Sequence, residues 1–246
     1  MPRLLLMPNT LDLGGEPVPL EDVLPRGVIK QAAQLAHWIA EDAKSARAFL
    51  KRVHELEPLC KPLQELSIQV LPKPPKDGRA APSVEPLLQA LQQGHDMGLI
   101  SEAGLPAVAD PGSLVVAQAH RLGATVVPLS GPNSLVLALA ASGLQGQSFA
   151  FVGYLPQDAA ARAARLRELQ ARSQRENQTQ LLIETPYRNE AVMAALLQHL
   201  APGTRVSVAC GLSLPQGWCR TLTVEQWRRQ PPAFEKGLPA VFGFLA

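Results

Sequence analysis

Cysteine is scarce in this chain, and the three present, Cys60, Cys210 and Cys219, show no paired spacing. An odd count without a repeated interval argues against a disulfide framework. No C-x-x-C occurs, and the five histidines do not group with carboxylates as zinc ligands would. No metal site is therefore expected, and the thiols read as free side chains. Aromatic residues make up only 4%, so leucine, valine and alanine must fill the core that 46% apolar residues can supply. A large charge imbalance is missing too. A net +2 neither demands nor excludes a nucleic-acid partner, because a local basic face counts for more than the total. Nowhere is there an apolar run of about 18 residues, and the start, MPRLLLMPNT, has an apolar tetrapeptide but no long signal-like region. A soluble cytoplasmic protein with no membrane partner is expected. Neither G-x-G-x-x-G after a strand nor G-x-x-x-x-G-K-[ST] is present, so nucleotide-dependent alternatives are poorly supported.

What is there is an alternation of short apolar runs with helical spacing. Leu4 to Met7 reads as a strand, Val28 to Leu35 as a helix, His37 to Ala40 as a strand ending at Glu41 and Asp42, and Ser45 to Val53 as a helix. Leu66 to Leu71 is a strand, and Lys73 to Pro82 is a Pro-, Lys- and Gly-rich loop. A helix over Val84 to Gln93, a strand over Met97 to Ile100, a helix over Ser113 to Leu122 and a strand over Ala124 to Leu129 follow. This order implies a parallel sheet with helices on its faces. The second half repeats the class: strands over Phe149 to Tyr154, Gln180 to Glu184, Arg205 to Ala209 and Ala240 to Leu245, with helices over Ala159 to Arg172, Asn189 to Leu200 and Thr223 to Arg229. The junction falls just after Gly131, giving α/β domains over 1–131 and 132–246.

Directly after Met97 to Ile100 comes SEAGLPAVADPG, residues Ser101 to Gly112. A small-residue turn at the carboxyl end of a parallel strand is where α/β sheets bind ligands. Gly104 permits close backbone approach or a positive φ. Pro106 and Pro111 stiffen the segment. Asp110 suits an N-cap and Pro111 the first helical position, so a helix is expected to open there. A plain strand–loop–helix connection has the same pattern.

The same stretch is similar to the SDAGTP…SDPG segment of the tetrapyrrole methylase superfamily, in the version of its ribosomal-RNA 2′-O-ribose methyltransferase branch. VVPLSGPNSLVLALAASGL resembles that family's second signature, FAFVGYLP the start of its second domain, and ETPYR its E-[ST]-P-x-R element. CGLSLPQGWCRTLTVEQW and LPAVFGFLA look like its later loop with the following strand and helix, and its closing strand. The family's first-strand motif stands here as Met7-Pro8-Asn9-Thr10-Leu11-Asp12, and its E-D-T-R as Glu41-Asp42-Ala43-Lys44.

The resemblance implies two α/β domains, with a parallel sheet in the N-terminal one and a mixed sheet in the C-terminal one. S-adenosylmethionine would lie in the cleft between them, and the protein would be a homodimer. It also implies residue roles. Pro8 and the loop of Ser101, Glu102, Ala103, Gly104, Pro106 and Asp110 would border the methionine and ribose of the cofactor. Ser130, Gly131 and Ser134 would sit near it, and Leu212, Ser213, Pro239 and Ala240 would close on the adenine. Glu184, Tyr187 and Arg188 are candidates for acceptor contact, against a reading in which Glu and Arg only pair at the surface. Glu41 and Asp42 are further candidates, against helix capping.

Methyl transfer from a sulfonium needs alignment more than acid–base machinery, so no Ser-His-Asp or metal constellation is required. Three readings of function follow. The first is a methyltransferase acting on RNA, at a ribose hydroxyl of ribosomal RNA. The second is one acting on a tetrapyrrole or other small molecule. The third is a cofactor-binding protein without turnover. Arg162, Arg165, Arg167, Arg172 and Arg175 on the helix from Ala159 suit phosphate contact or a solvated face.

Overall fold

The computed structural model describes residues 1–12, 15–73 and 82–246. From 74 to 81 the loop expected over Lys73 to Pro82 lies outside the described residues. The chain forms two compact units, one of Met1–Thr10 with Val18–Pro132, the other of Leu11–Pro17 with Asn133–Ala246.

The first unit follows the order β1 (Arg3–Met7), α1 (Leu20–Val23), α2 (Arg26–Ala33), β2 (His37–Ala40), α3 (Ala43–Leu56), β3 (Ser67–Val70), α4 (Gln89–Gln92), β4 (Met97–Ile100), α5 (Ser113–Arg121), β5 (Thr125–Pro128). Its five strands are parallel in the order β3-β2-β4-β1-β5. Both faces are covered, as parallel sheets require. Leu5 and Met7 of β1 pack with Val28, Phe49 and Leu50 of α2 and α3, whereas Leu4 packs with Leu91, Val115 and Ala119 of α4 and α5. The chain therefore leaves β1 toward one face and leaves β4, its neighbour, toward the other. Such an adjacent pair is a topological switch point, and its carboxyl ends open a crevice.

Two local details differ from the expectation. The helix over Val84 to Gln93 is a 3-10 turn, Glu85–Leu88, followed by the single turn of α4. The short α1 had no periodic signal and was not expected.

The second unit contains α6 (Ser134–Ser142), β6 (Phe149–Phe151), α7 (Ala159–Glu176), β7 (Thr179–Glu184), α8 (Asn189–His199), β8 (Arg205–Cys210), β9 (Trp218–Thr223), α9 (Val224–Arg229) and β10 (Ala240–Leu245). Its sheet is mixed, in the order β6-β7-β10-β8-β9: β6 runs parallel to β7, and the other pairs are antiparallel. Leu135, Ala138 and Leu139 of α6 pack on Leu181, Ala209 and Val241. Buried Trp227 of α9 donates its indole N–H to the Val206 carbonyl, 2.8 Å away. The α/β class, with a parallel sheet first and a mixed sheet second, is as the sequence implied. Among the described residues no helix is long and apolar enough to cross a membrane.

Candidate functional site

The carboxyl ends of β1, β2, β4 and β5 gather most of the expected residues of the first unit. The loop after β4 is fixed by a residue the sequence reading passed over. Asn9 is buried, and its side-chain Nδ2 donates to the Ser101 carbonyl (3.2 Å) and the Glu102 carbonyl (2.9 Å). Its main chain pairs with Gly104 in both directions, Asn9 N to Gly104 O at 2.8 Å and Gly104 N to Asn9 O at 3.2 Å. A polar amide directly after an apolar strand was the available signal.

Gly104 has φ 65°, in the left-handed region, so its turn needs no Cβ. Ala107 and Ala109 are also left-handed, at φ 65° and 64°, and this turns the chain back before the helix. Asp110 consequently does not cap α5, and Pro111 is not its first residue. Gly112 holds the N-cap position at φ 132°, and the helix starts at Ser113. That corrects the capping reading. The carboxylate of Asp110 is left free for the site.

Three carboxylates meet at this edge. Glu41 follows β2, and its Oε2 accepts from Glu102 N at 3.1 Å, so the ends of β2 and β4 are joined. Burial first, then Glu41 and Asp42, raise the Glu102 carboxyl above its ordinary range, while Lys73 pulls it down. Burial with the negative charges of Glu41 and Glu102 pushes Asp110 up to about 7. Asp42 takes the other role weighed for it. It is the N-cap of α3, accepting from Ser45 N at 2.7 Å, and that bond holds its carboxyl below the usual range.

Ser101, 2% exposed, has a hydroxyl with no partner in the described structure. Buried hydroxyls are nearly always hydrogen-bonded, so this one is available to a ligand. Pro8 is buried at the end of β1, and Gly131 lies against it: a Cβ on Gly131 would fall 2.3 Å from the Pro8 Cβ. Gly131 is thus required for close approach rather than for a positive φ. Ser130 beside it is exposed.

In the second unit the register collects the remaining positions at one end of the sheet. Ala240 is paired with Glu184 on β7 and with Cys210 on β8. Leu212 and Ser213 follow β8 in a tight loop, Ser213 at φ 69° and Gly211 at φ 60°. Gly211 N donates to the Pro239 carbonyl at 3.0 Å, and Asn189 Nδ2 donates to the Leu238 carbonyl at 3.0 Å. Buried Glu184 accepts from Thr185 N at 2.9 Å and lies 3.3 Å from the half-buried Arg188 guanidinium. The alternative weighed for them, a pair at the surface, is not what the structure has: the side chains of Arg188 and Glu184 are only 18% and 2% exposed. Tyr187 is 82% exposed. Ser134 opens α6 just after its cap, Asn133.

Four of the arginines of α7 are bonded locally, and Arg167 is exposed. Arg162 donates to the carbonyls of Pro156 and Gln157, Arg165 meets Glu168 at 2.7 Å, and Arg172 and Arg175 both meet Glu176. This agrees with a solvated face. Among the described residues no group of His, Cys, Asp or Glu could hold a metal ion.

These two α/β units, a doubly covered parallel sheet followed by a mixed one, define the class of fold. It is that of the uroporphyrin-III-C-methyltransferase of Thermus thermophilus, whose crystal structure matches with a TM-score of 0.53 at 16% identity, over 99% of this chain and 92% of that one. The family model of the tetrapyrrole (corrin/porphyrin) methylases matches residues 28–226, and the chain belongs to that family. Similar proteins include the ribosomal RNA small subunit methyltransferase I of Pseudomonas aeruginosa, 44% identical over 101 residues, 41% of this chain and 34% of that one. The protein of the same name from Pasteurella multocida is 32% identical over 156 residues, 61% of this chain and 53% of that one. The matched stretches thus span between a third and about half of those relatives' length.

Proposed function

We propose that the chain is an S-adenosylmethionine-dependent methyltransferase acting on ribosomal RNA, with a ribose 2′-hydroxyl as the acceptor. The observation that carries the methyl-donor reading is the switch-point loop. Its buried Ser101 hydroxyl lacks a partner, and three carboxylates stand beside it at the carboxyl ends of β2 and β4. That set suits a ligand with a hydrogen-bonding amino-acid part and a positive sulfur. When bound, the cofactor supplies an activated methyl group on that sulfur. Pro8, Ser101, Ala103, Gly104 and Pro106 would hold its methionine and ribose, with Ser130, Gly131 and Ser134 nearby. Leu212, Ser213, Pro239 and Ala240 would supply the adenine contacts.

Glu184, Tyr187 and Arg188 are proposed to meet the acceptor. Tyr187 offers an exposed ring for stacking on an unpaired base, and Arg188 a cation for phosphate. The names of the relatives support ribosomal RNA as the substrate. A homodimer is proposed with it. Val136 and Leu137 of α6 and Phe149 and Phe151 of the edge strand β6 are exposed apolar side chains that a second copy could cover.

The test is calorimetric titration of the full chain with S-adenosylmethionine, followed by methyl transfer to small-subunit RNA from cells lacking the gene. Binding together with labelled ribose supports the proposal. Labelling of a porphyrinogen instead transfers the reading to small-molecule methylation. Binding without turnover on any acceptor reduces it to a cofactor-binding protein. Sedimentation at equilibrium reads the oligomeric state.

A further inference from the structure

The carboxylates beside the switch-point loop do more than fit a cation. Glu41 is locked to the backbone of Glu102 at 3.1 Å, so its charge is held at the loop. Asn9 fixes the carbonyls of Ser101 and Glu102, whose oxygens lie within 3.2 Å of its amide. Asp110 is delivered to the same edge by the left-handed turns at Ala107 and Ala109. Among the described residues the charged groups acting on this cluster are Glu41 and Asp42 after β2, Glu102 on the loop itself, and Lys73 after β3, so among them negative charge is in excess. The unpartnered, buried Ser101 hydroxyl in the same loop marks the place where a ligand would complete the structure.

The methyl donor and its demethylated product share the same amino-acid and nucleoside parts. They differ at one atom, a permanently positive sulfonium against a neutral thioether. A site with excess negative charge must separate the two by Coulomb attraction alone. We propose that Glu41, Glu102 and Asp110 make this edge a charge selector that holds the sulfonium form and releases the thioether product. This rests on the methyl-donor reading above. Burial and the two glutamates bring Asp110 to about 7, so its charge changes near neutral pH. Selection then rises as pH rises through that value. Binding of the cationic ligand draws the proton off Asp110, whereas the thioether leaves it in place.

The experiment is calorimetry on the full chain with S-adenosylmethionine and S-adenosylhomocysteine, from about pH 5.5 to about pH 8.5, in buffers of different ionisation enthalpy. The preference for the sulfonium is expected to rise roughly tenfold across that range, the order a single nearby charge supplies at a protein surface. Protons are expected to be released with the sulfonium at neutral pH and not with the thioether. Asp110→Asn should flatten the pH profile, and Glu102→Gln should move its midpoint to lower pH. If both ligands bind with a pH-independent ratio and the wild-type protein releases no proton, the selector is wrong and the methyl-donor reading survives. If neither ligand binds at any pH, both fall. The proton-release arm needs no variant, so a misfolded Asp110→Asn would not shield the idea.

Discussion

Asn9 and Gly104 exchange two main-chain hydrogen bonds, 2.8 Å and 3.2 Å long, between the end of β1 and the loop after β4. These are the two strands from which the chain departs to opposite faces of the sheet. The Asn9 side chain adds two more bonds, to the carbonyls of Ser101 and Glu102. Asn9→Ala leaves the buried Ser101 carbonyl without that donor. It should lower stability by about 1–3 kcal/mol in denaturant titration. Affinity for the methyl donor should fall as well, because the loop loses its clamp. A variant with wild-type stability and affinity would show that the backbone pair suffices.

Gly131 offers a matched comparison. An alanine there would press its Cβ to 2.3 Å from the Pro8 ring, whereas Gly146 has nothing within 4 Å of the same atom. Gly131→Ala should cost about 1–3 kcal/mol through forced displacement. Gly146→Ala should stay within about 0.5 kcal/mol. Equal melting temperatures for the two variants would contradict the close approach.

The titration of Asp110 has a definite sign in stability. Its carboxyl has a value of 3.8 when unperturbed and about 7 in the fold, so the folded state holds the proton more tightly. Between those values folding takes up a proton. The contribution is fully present below about pH 4 and is lost as pH rises through about 7. Asp110→Asn removes this dependence. Relative to wild type, the variant should be more stable at about pH 8 than at about pH 4. The difference should be about 1–3 kcal/mol, because the partly exposed carboxylate is screened by solvent. Parallel pH–stability curves for the two proteins would rule it out.

Tyr187 and Arg188 are adjacent yet should behave in opposite ways. Arg188→Ala strips the guanidinium from a Glu184 side chain that is 2% exposed. An uncompensated buried carboxylate of this kind costs about 3–5 kcal/mol. Tyr187, 82% exposed, should be nearly neutral for stability on replacement by alanine. Its loss should instead raise the KM for RNA while leaving donor affinity alone. If Tyr187→Ala is silent in RNA kinetics, the acceptor lies elsewhere.

Much of the architecture was legible from apolar periodicity. β10 was expected at its observed bounds, Ala240–Leu245, because the six residues directly after Pro239 are all apolar or small. Most other elements lay within a few residues of expectation. The failures have local causes. The helix expected over Val84 to Gln93 opens as a 3-10 turn, and left-handed alanines, which no residue-type preference announces, took Asp110 away from its capping role. The loop after β4 was legible because its small residues and prolines directly follow a short apolar strand. Asn9 was passed over because its partners, Ser101 and Glu102, are 92 and 93 residues away.

The sequence by itself determined the order of strands and helices, the family and the chemical character of the loop, since each is written in contiguous residues. Only the tertiary structure decided that β1 and β4 are neighbours, that Glu41 is tied to Glu102, and that Asp110 shares their field. The reason is physical: strand adjacency and the electrostatic coupling it creates depend on distances through space, and those are fixed by packing on both faces of the sheet rather than by spacing along the chain.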